Sequence, residues 1–111
     1  MKAYTDLEQS KKLAKILPLE SADMHYVLID SDQETYSPGL EKYYGVLPSI
    51  PCWSLAALLG VIPKPDLIQN SEGTWLVHSW VNAYPWSVGG YSNPIDACVA
   101  MIEKLHKINL I

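Results

Sequence analysis

The residues of this chain that could do chemistry are three histidines, two cysteines and twelve carboxylates, so a metal centre is the first possibility to consider. Zinc sites usually show pairs of ligands two to four residues apart. No two of the histidines and cysteines have that spacing; they are His25, Cys52, His78, Cys98 and His106. The sequence therefore predicts no metal ligands, no cofactor and no catalytic residues built on such ligands.

Thiol catalysis is the second possibility. Cys52 follows Pro51 at a predicted helix start, where the helix dipole would lower a thiol pKa. Cys98 falls on the apolar stripe of the predicted last helix, where a cysteine acts as a small hydrophobic residue. Packing is the simpler interpretation of both. We expect two reduced, buried cysteines in a cytoplasmic protein rather than a disulfide.

Three carboxylates alternate in one polar segment and would share one side of an extended chain: Asp30, Asp32 and Glu34. A calcium loop would need further oxygen ligands, a central glycine and a final glutamate at fixed positions. A solvated acidic loop is therefore expected here. With the net charge of -4, this loop is also the basis of one functional hypothesis, an acidic inhibitor or nucleic-acid mimic.

The most interesting residues lie on a predicted β-hairpin. If Asn82 and Ala83 form a two-residue loop, one face carries Leu76, His78, Trp80 and Ser87. The opposite face then carries Trp75, Val77, Val81, Tyr84, Trp86 and Val88. A one-residue slip would exchange the faces. Because Trp and Tyr are enriched at binding hot spots, the candidate interaction surface is His78, Trp80, Tyr84 and Ser87. The alternative is that a second helix covers His78 and makes it a core residue.

Composition limits the partners. The chain has no Arg and a net charge of -4, which argues against binding to nucleic acid and to anionic membranes. Its N-terminus has no apolar segment of the signal-peptide kind, and its longest apolar run, residues 46–63, is interrupted by three prolines. Phe is absent while Tyr and Trp total 11. These aromatics tolerate half-burial, which suits a thin core or a contact surface.

The elements in the first half follow from capping and periodicity. Thr5 and Glu8 match a capping box, so we predict a helix from there to about Leu17. Residues 24–29 form a short β-branched and aromatic run that predicts a strand. Residues 30–39 are predicted to be a polar loop. Residues 40–46 fit either a helical turn or a strand.

The second half of the sequence has clearer signals for where helices and strands begin and end. Pro51 can start a second helix, residues 52–59, with Gly60 as its C-cap. Residues 66–69 are predicted to be an edge strand and residues 70–73 a turn. Pro85 places the second hairpin strand at a sheet edge or bulge. Asn93 caps the last helix, whose apolar stripe is Ile95, Cys98, Val99, Ile102 and Leu105.

Three segments together resemble a known group of proteins. They are residues 4–10 (YTDLEQS), 53–59 (WSLAALL) and 93–97 (NPIDA). The chain resembles small uncharacterised proteins of gut bacteria, which are often encoded in phage-like or mobile regions and have no assigned function. The resemblance implies a bacterial cytoplasm and an accessory gene, and it offers no catalytic residues.

Together these patterns predict a single domain, residues 1–111, of the α+β class. We expect a small, mostly antiparallel sheet of three or four strands with the N- and C-terminal helices packed on one face. The leading functional hypothesis is a non-enzymatic interaction protein that binds another protein or itself as a homodimer. The alternative is a small-molecule-binding or enzymatic domain with a pocket near His78 and Trp80.

Overall fold

Six strands form two antiparallel sheets in the computed structural model of the protein, which describes residues 2–30, 35–39 and 49–111. The helices are α1 (Leu7–Leu13), α2 (Leu55–Val61) and α3 (Pro94–Lys107). The strands are β1 (Met24–Asp30), β2 (Thr35–Gly39), β3 (Ser49–Cys52), β4 (Asp66–Gln69), β5 (Trp75–Val81) and β6 (Tyr84–Tyr91). A single turn of 3-10 helix spans Leu19–Ser21. The α+β class and the antiparallel pairing are confirmed.

The strands are divided between two sheets rather than gathered in one. The first sheet has the order β2-β1-β3 and the second the order β4-β5-β6. Helix α1 contacts β3 of the first sheet, whereas α3 contacts β5 and β6 of the second. The prediction that both terminal helices share one sheet face is therefore not confirmed.

Helix α3 forms the centre of the core. The Asn93 side chain caps the helix by accepting a hydrogen bond from the Asp96 amide. Pro94 is in the first turn of the helix, where the missing N–H would have no partner within the helix anyway. The whole predicted stripe is buried, and Ala97 and Met101 are buried beside it. The helix can bury this much because it packs on the β4-β5-β6 sheet and also on α2.

The predicted hairpin has the predicted register. Val81 pairs with Tyr84 and Ser79 with Trp86, and Asn82 and Ala83 form the two-residue turn with φ of 53° and 62°. The register shifts at the other end, where Gly89 and Gly90 form a bulge. Gly90 has φ 85°, and a Cβ on Gly89 would lie 3.2 Å from the Leu76 Cβ. Residues 66–69 form the expected edge strand, and β6, with Pro85, is the other edge.

Two sequence-based predictions are wrong in the first sheet. Residues 35–39 form β2, where a polar loop was predicted, and residues 49–52 form β3, where a helix was predicted to start. Pro38 pairs with Tyr26, and Pro51 pairs with His25. Both prolines lie on edge strands, where a residue without an N–H is tolerated. The ambiguous residues 40–46 lie outside the described part of the chain, as do Asp32 and Glu34.

Helix α2 begins later than predicted. Ser54 caps it by accepting from the Ala57 amide, while Cys52 belongs to the preceding strand. Gly60 lies inside the helix, which ends at Val61 with Ile62 as its C-cap. Only Leu58 of this apolar helix is fully buried, and Ala56 and Gly60 are exposed.

The capping box of α1 is shifted by one residue. Asp6 is the N-cap, and its side chain accepts from the Gln9 amide while the Gln9 side chain accepts from the Asp6 amide. Thr5 is not available for this role because its hydroxyl is buried and bonds to the Ser10 hydroxyl and the Trp53 amide instead. The helix ends at Leu13 rather than near Leu17, although Leu17 is still buried.

Candidate interaction surface

The β4-β5-β6 sheet has an inner face, which packs on α3, and an outer face. Directly paired residues of antiparallel strands point to the same side of a sheet. The pairs Ile68–Leu76, Asp66–His78, His78–Ser87 and Trp80–Pro85 therefore share one side. We define the outer face as Asp66, Ile68, Leu76, His78, Trp80, Pro85 and Ser87. It contains three of the four residues of the predicted surface.

Two apolar side chains of the outer face are open to solvent, while Leu76 is half-buried. Trp80 is 44% exposed and Ile68 is 41% exposed, while Val77 and Ser79 on the inner face are buried. Helix α2 packs on α3 and on the 3-10 turn rather than on this face. The alternative in which the second helix covers His78 is therefore wrong. His78 itself is half-buried between Asp66 and Ser87.

Tyr84 points to the other side of the hairpin, as the register predicts. It is 61% exposed, and its ring centroid lies 5.3 Å from that of Trp86. The Lys104 ammonium lies 5.7 Å above the Trp86 ring and donates to the Ser87 carbonyl at 3.0 Å. The buried Trp86 Nε1 has no hydrogen-bond partner in the described structure. Tyr84 and Trp80 thus present aromatic rings on opposite sides of one turn.

The two cysteines are free and buried, as predicted. Burial raises the pKa of the Cys98 thiol to about 12. Burial also raises the pKa of the Cys52 thiol, against the lowering effect of hydrogen bonds from Thr5 and Ser10. Thiols that stay protonated are poor nucleophiles. Within the described residues, no three His, Cys, Asp or Glu side chains gather into a group that could hold a metal ion.

A buried polar cluster around Thr5 was not visible in the sequence. The Thr5 hydroxyl lies 2.8 Å from the Ser10 hydroxyl and accepts from the Trp53 amide at 3.1 Å. The Thr5 amide donates to the Trp53 carbonyl at 2.9 Å, and the Thr5 carbonyl accepts from the Tyr26 hydroxyl at 2.8 Å. Burial, with the Cys52 thiol beside it, raises the pKa of Tyr26 to about 12. We call Thr5, Ser10, Tyr26, Cys52 and Trp53 the Thr5 cluster.

Next to this cluster lies a cleft of about 440 Å³ that is lined by Lys2, Ala3, Tyr4, Asp6 and Tyr26. The Lys2 ammonium bridges Asp6 at 2.8 Å and Asp96 at 2.9 Å. Burial alone would raise the pKa of both carboxyls, but hydrogen bonds lower both below the usual range. Those to Asp6 come from Gln9 and Lys2. Those to Asp96 come from Lys2, Gln9 and Asn93.

Comparison of the chain with known protein families, with curated proteins and with solved structures finds no match. The resemblance to gut bacterial proteins therefore stays a prediction. Within the described residues, no helix has the length and apolarity needed to cross a membrane.

Proposed function

We propose that the protein is a non-enzymatic interaction protein that associates with a second copy of itself through the outer face. The observation that carries the proposal is the exposure of Trp80 and Ile68 on a sheet whose other face is already packed on α3. Exposed apolar side chains that share one face of a small protein favour a contact role. Tryptophan in particular contributes strongly to binding energy when it is buried by a partner.

The chemistry of the outer face suits a second copy. A two-fold interface brings the same patch together from both partners, so the patch must complement itself. The outer face has the apolar pair Ile68 and Leu76 towards one end and Trp80 towards the other, with the adjacent pair Asp66 and His78 between them. With the two-fold axis along this face, the carboxylate of one copy can meet the imidazole of the other at the centre while the apolar side chains meet on either side.

The size of the face limits the strength of this association. Strands lie about 4.8 Å apart and rise about 3.3 Å per residue, so the face measures roughly 14 by 24 Å. This footprint is about 340 Å² per copy, or roughly 670 Å² in total, which lies below the low end of specific protein contacts at about 1,200 Å². We therefore expect a weak dimer whose population depends on protein concentration.

The test is light scattering coupled to size exclusion over a series of protein concentrations. The wild-type mass should rise from the 12.4 kDa of one chain towards twice that value. Trp80→Ala should hold the mass near that of the monomer, because it removes the largest apolar side chain of the outer face. Tyr84→Ala is the matched control, because it removes an exposed aromatic ring from the opposite side of the same turn.

Two results would contradict the proposal. One is a wild-type monomer at high micromolar concentration, which would leave the outer face without its proposed occupant. The other is dissociation by Tyr84→Ala but not by Trp80→Ala, which would move the contact to the inner side of the hairpin. In either case circular dichroism of each variant checks that the fold is retained.

The remaining features of the proposal rest on the sequence. A chain with no Arg and a net charge of -4 should bind duplex DNA or RNA too weakly for a gel shift at physiological salt. We place the protein in the cytoplasm because both cysteines are free, the state that a reducing compartment maintains. The hypothesis of an acidic mimic rests on the net charge and on the acidic segment from Asp30 to Glu34, of which Asp32 and Glu34 lie outside the described residues.

A further inference from the structure

The cleft beside the Thr5 cluster has the size of a small-molecule site. Its volume of about 440 Å³ lies within the range of about 300–1,000 Å³ that is usual for ligand pockets. None of its five lining residues belongs to the outer face, so the proposed dimer contact makes no use of it. The cleft therefore needs its own explanation.

Two tyrosines line the cleft, and their rings pack edge to face. The ring centroids of Tyr4 and Tyr26 are 6.2 Å apart and the ring planes meet at 72°. Tyr26 is only 8% exposed, and its hydroxyl is fixed by its hydrogen bond to the Thr5 carbonyl. Its ring is thus held in place before any ligand arrives. The faces of aromatic rings carry partial negative charge and attract cations.

The fixed charges at the cleft favour the same kind of ligand. The Lys2 ammonium lies between two carboxylates, Asp6 and Asp96, so the group has a net charge of about -1 at neutral pH. Lys2 is therefore neutralised within the protein and is a poor anchor for an anion. Asp6 lines the cleft directly, and because half of its side chain stays exposed beside Lys2, its carboxylate can still face a bound cation.

We propose that this cleft binds a small organic cation bearing an ammonium group. Tyr4, which is half-buried, supplies the main ring face, Tyr26 supports it from one side, and Asp6 supplies the opposite charge. The apolar substituents of a quaternary ammonium pack on the rings while its charge is retained. The site is independent of the outer face, so it would remain if the protein proved monomeric.

The first test compares two probes of the same shape by NMR titration of ¹⁵N-labelled protein. Choline carries the charge, and 3,3-dimethylbutan-1-ol is its neutral counterpart. Choline should shift the amide signals of Tyr4, Asp6 and Tyr26 in a saturable way and bind several-fold more tightly than the alcohol. Equal binding of the two probes, or shifts confined to other residues, would overturn the proposal.

Matched variants assign the contributions. Asp6→Asn removes the charge but retains a side chain that caps helices well, and Tyr4→Leu removes a ring while keeping an apolar side chain. Tyr4→Leu should weaken choline binding by about two- to fivefold, the value of one exposed cation–ring contact, and Asp6→Asn by up to about fivefold, the value of one exposed ion pair. Tyr4→Phe should retain binding. Asp66→Asn, which removes a distant carboxylate, is the control; if it weakens binding as much as Asp6→Asn, the attraction is only that of net charge and the site is refuted.

Discussion

The two sheets of this protein are held to their helices by different forces. The β4-β5-β6 sheet is joined to α3 by apolar side chains, with Val77 on the sheet and Ile95 and Ile102 on the helix all buried. The β2-β1-β3 sheet meets the start of the chain at the Thr5 cluster, where hydroxyl, amide, carbonyl and thiol groups bond to one another. The first contact is strong and non-directional. The second is specific in geometry and depends on every polar group finding its partner.

The two contacts also differ in their distance along the chain. The β5-β6 hairpin leads directly into α3, so residues close in sequence build that unit. The Thr5 cluster joins residues 5 and 53, and beside it a strand-like bridge links Tyr4 to Ser54. Local units leave periodic patterns in a sequence, whereas a single long-range bridge does not. This difference predicts how each region responds to substitution.

The largest effect should come from the apolar contact. Ile102→Ala removes a fully buried side chain between α3 and the second sheet, so the free energy of unfolding should fall by about 2–5 kcal/mol. Denaturant melts monitored by circular dichroism measure this change. Trp80→Ala on the outer face is the control and should cost below about 1 kcal/mol. A loss below about 1 kcal/mol for Ile102→Ala would mean that α3 does not supply the main core.

The polar contact should respond less strongly. Thr5→Val keeps the shape of the side chain but leaves the Trp53 amide without its acceptor. The free energy of unfolding should therefore fall by about 1–3 kcal/mol. Thr74→Val is the matched control, because the Thr74 hydroxyl accepts only an exposed hydrogen bond from Asn70. If the free energy of unfolding falls by the same small amount in both variants, the Thr5 cluster does not hold the start of the chain to the first sheet.

The same division explains what could be predicted from the sequence. The hairpin register, the Asn93 cap and the buried stripe of α3 all follow from local rules of turns, caps and periodicity. The strand at residues 49–52 does not follow from local rules, because Pro51 fits a helix start and an edge strand equally well. Its pairing with β1 determines which of the two forms. Similarly, Thr5 matches a capping box in the sequence, but in the structure its hydroxyl accepts from the Trp53 amide instead. The cleft depends on Tyr4 and Tyr26 meeting, which no local pattern indicates.

A substitution in the hairpin turn should have a smaller effect and should stabilise the protein. Ala83 has φ 62°, a left-handed conformation that costs a non-glycine residue about 1–2 kcal/mol. Ala83→Gly relieves this strain, and after the entropic cost of glycine the protein should gain about 0.5–1 kcal/mol. Asn82→Gly is the control and should change little, because Asn tolerates this conformation. A destabilised Ala83→Gly variant would show that the Ala83 methyl group packs in the turn.

The smallest effect should come from the ion pairs of Lys2, which tie the N-terminus to the cap of α3. The folded-state pKa values of Asp6 and Asp96 are lowered, so their contribution is present above the unfolded value of about 3.9 and is lost as pH falls through the lower folded values. Because both carboxylates are partly exposed, the loss should stay below about 1 kcal/mol. Denaturant melts between pH 5 and pH 2 should show this loss reduced in Asp96→Asn but unchanged in Asp66→Asn, relative to wild type. An identical acid profile for wild type and Asp96→Asn would mean that the Lys2 bridge adds nothing to the stability of this junction, in contrast to the Thr5 cluster.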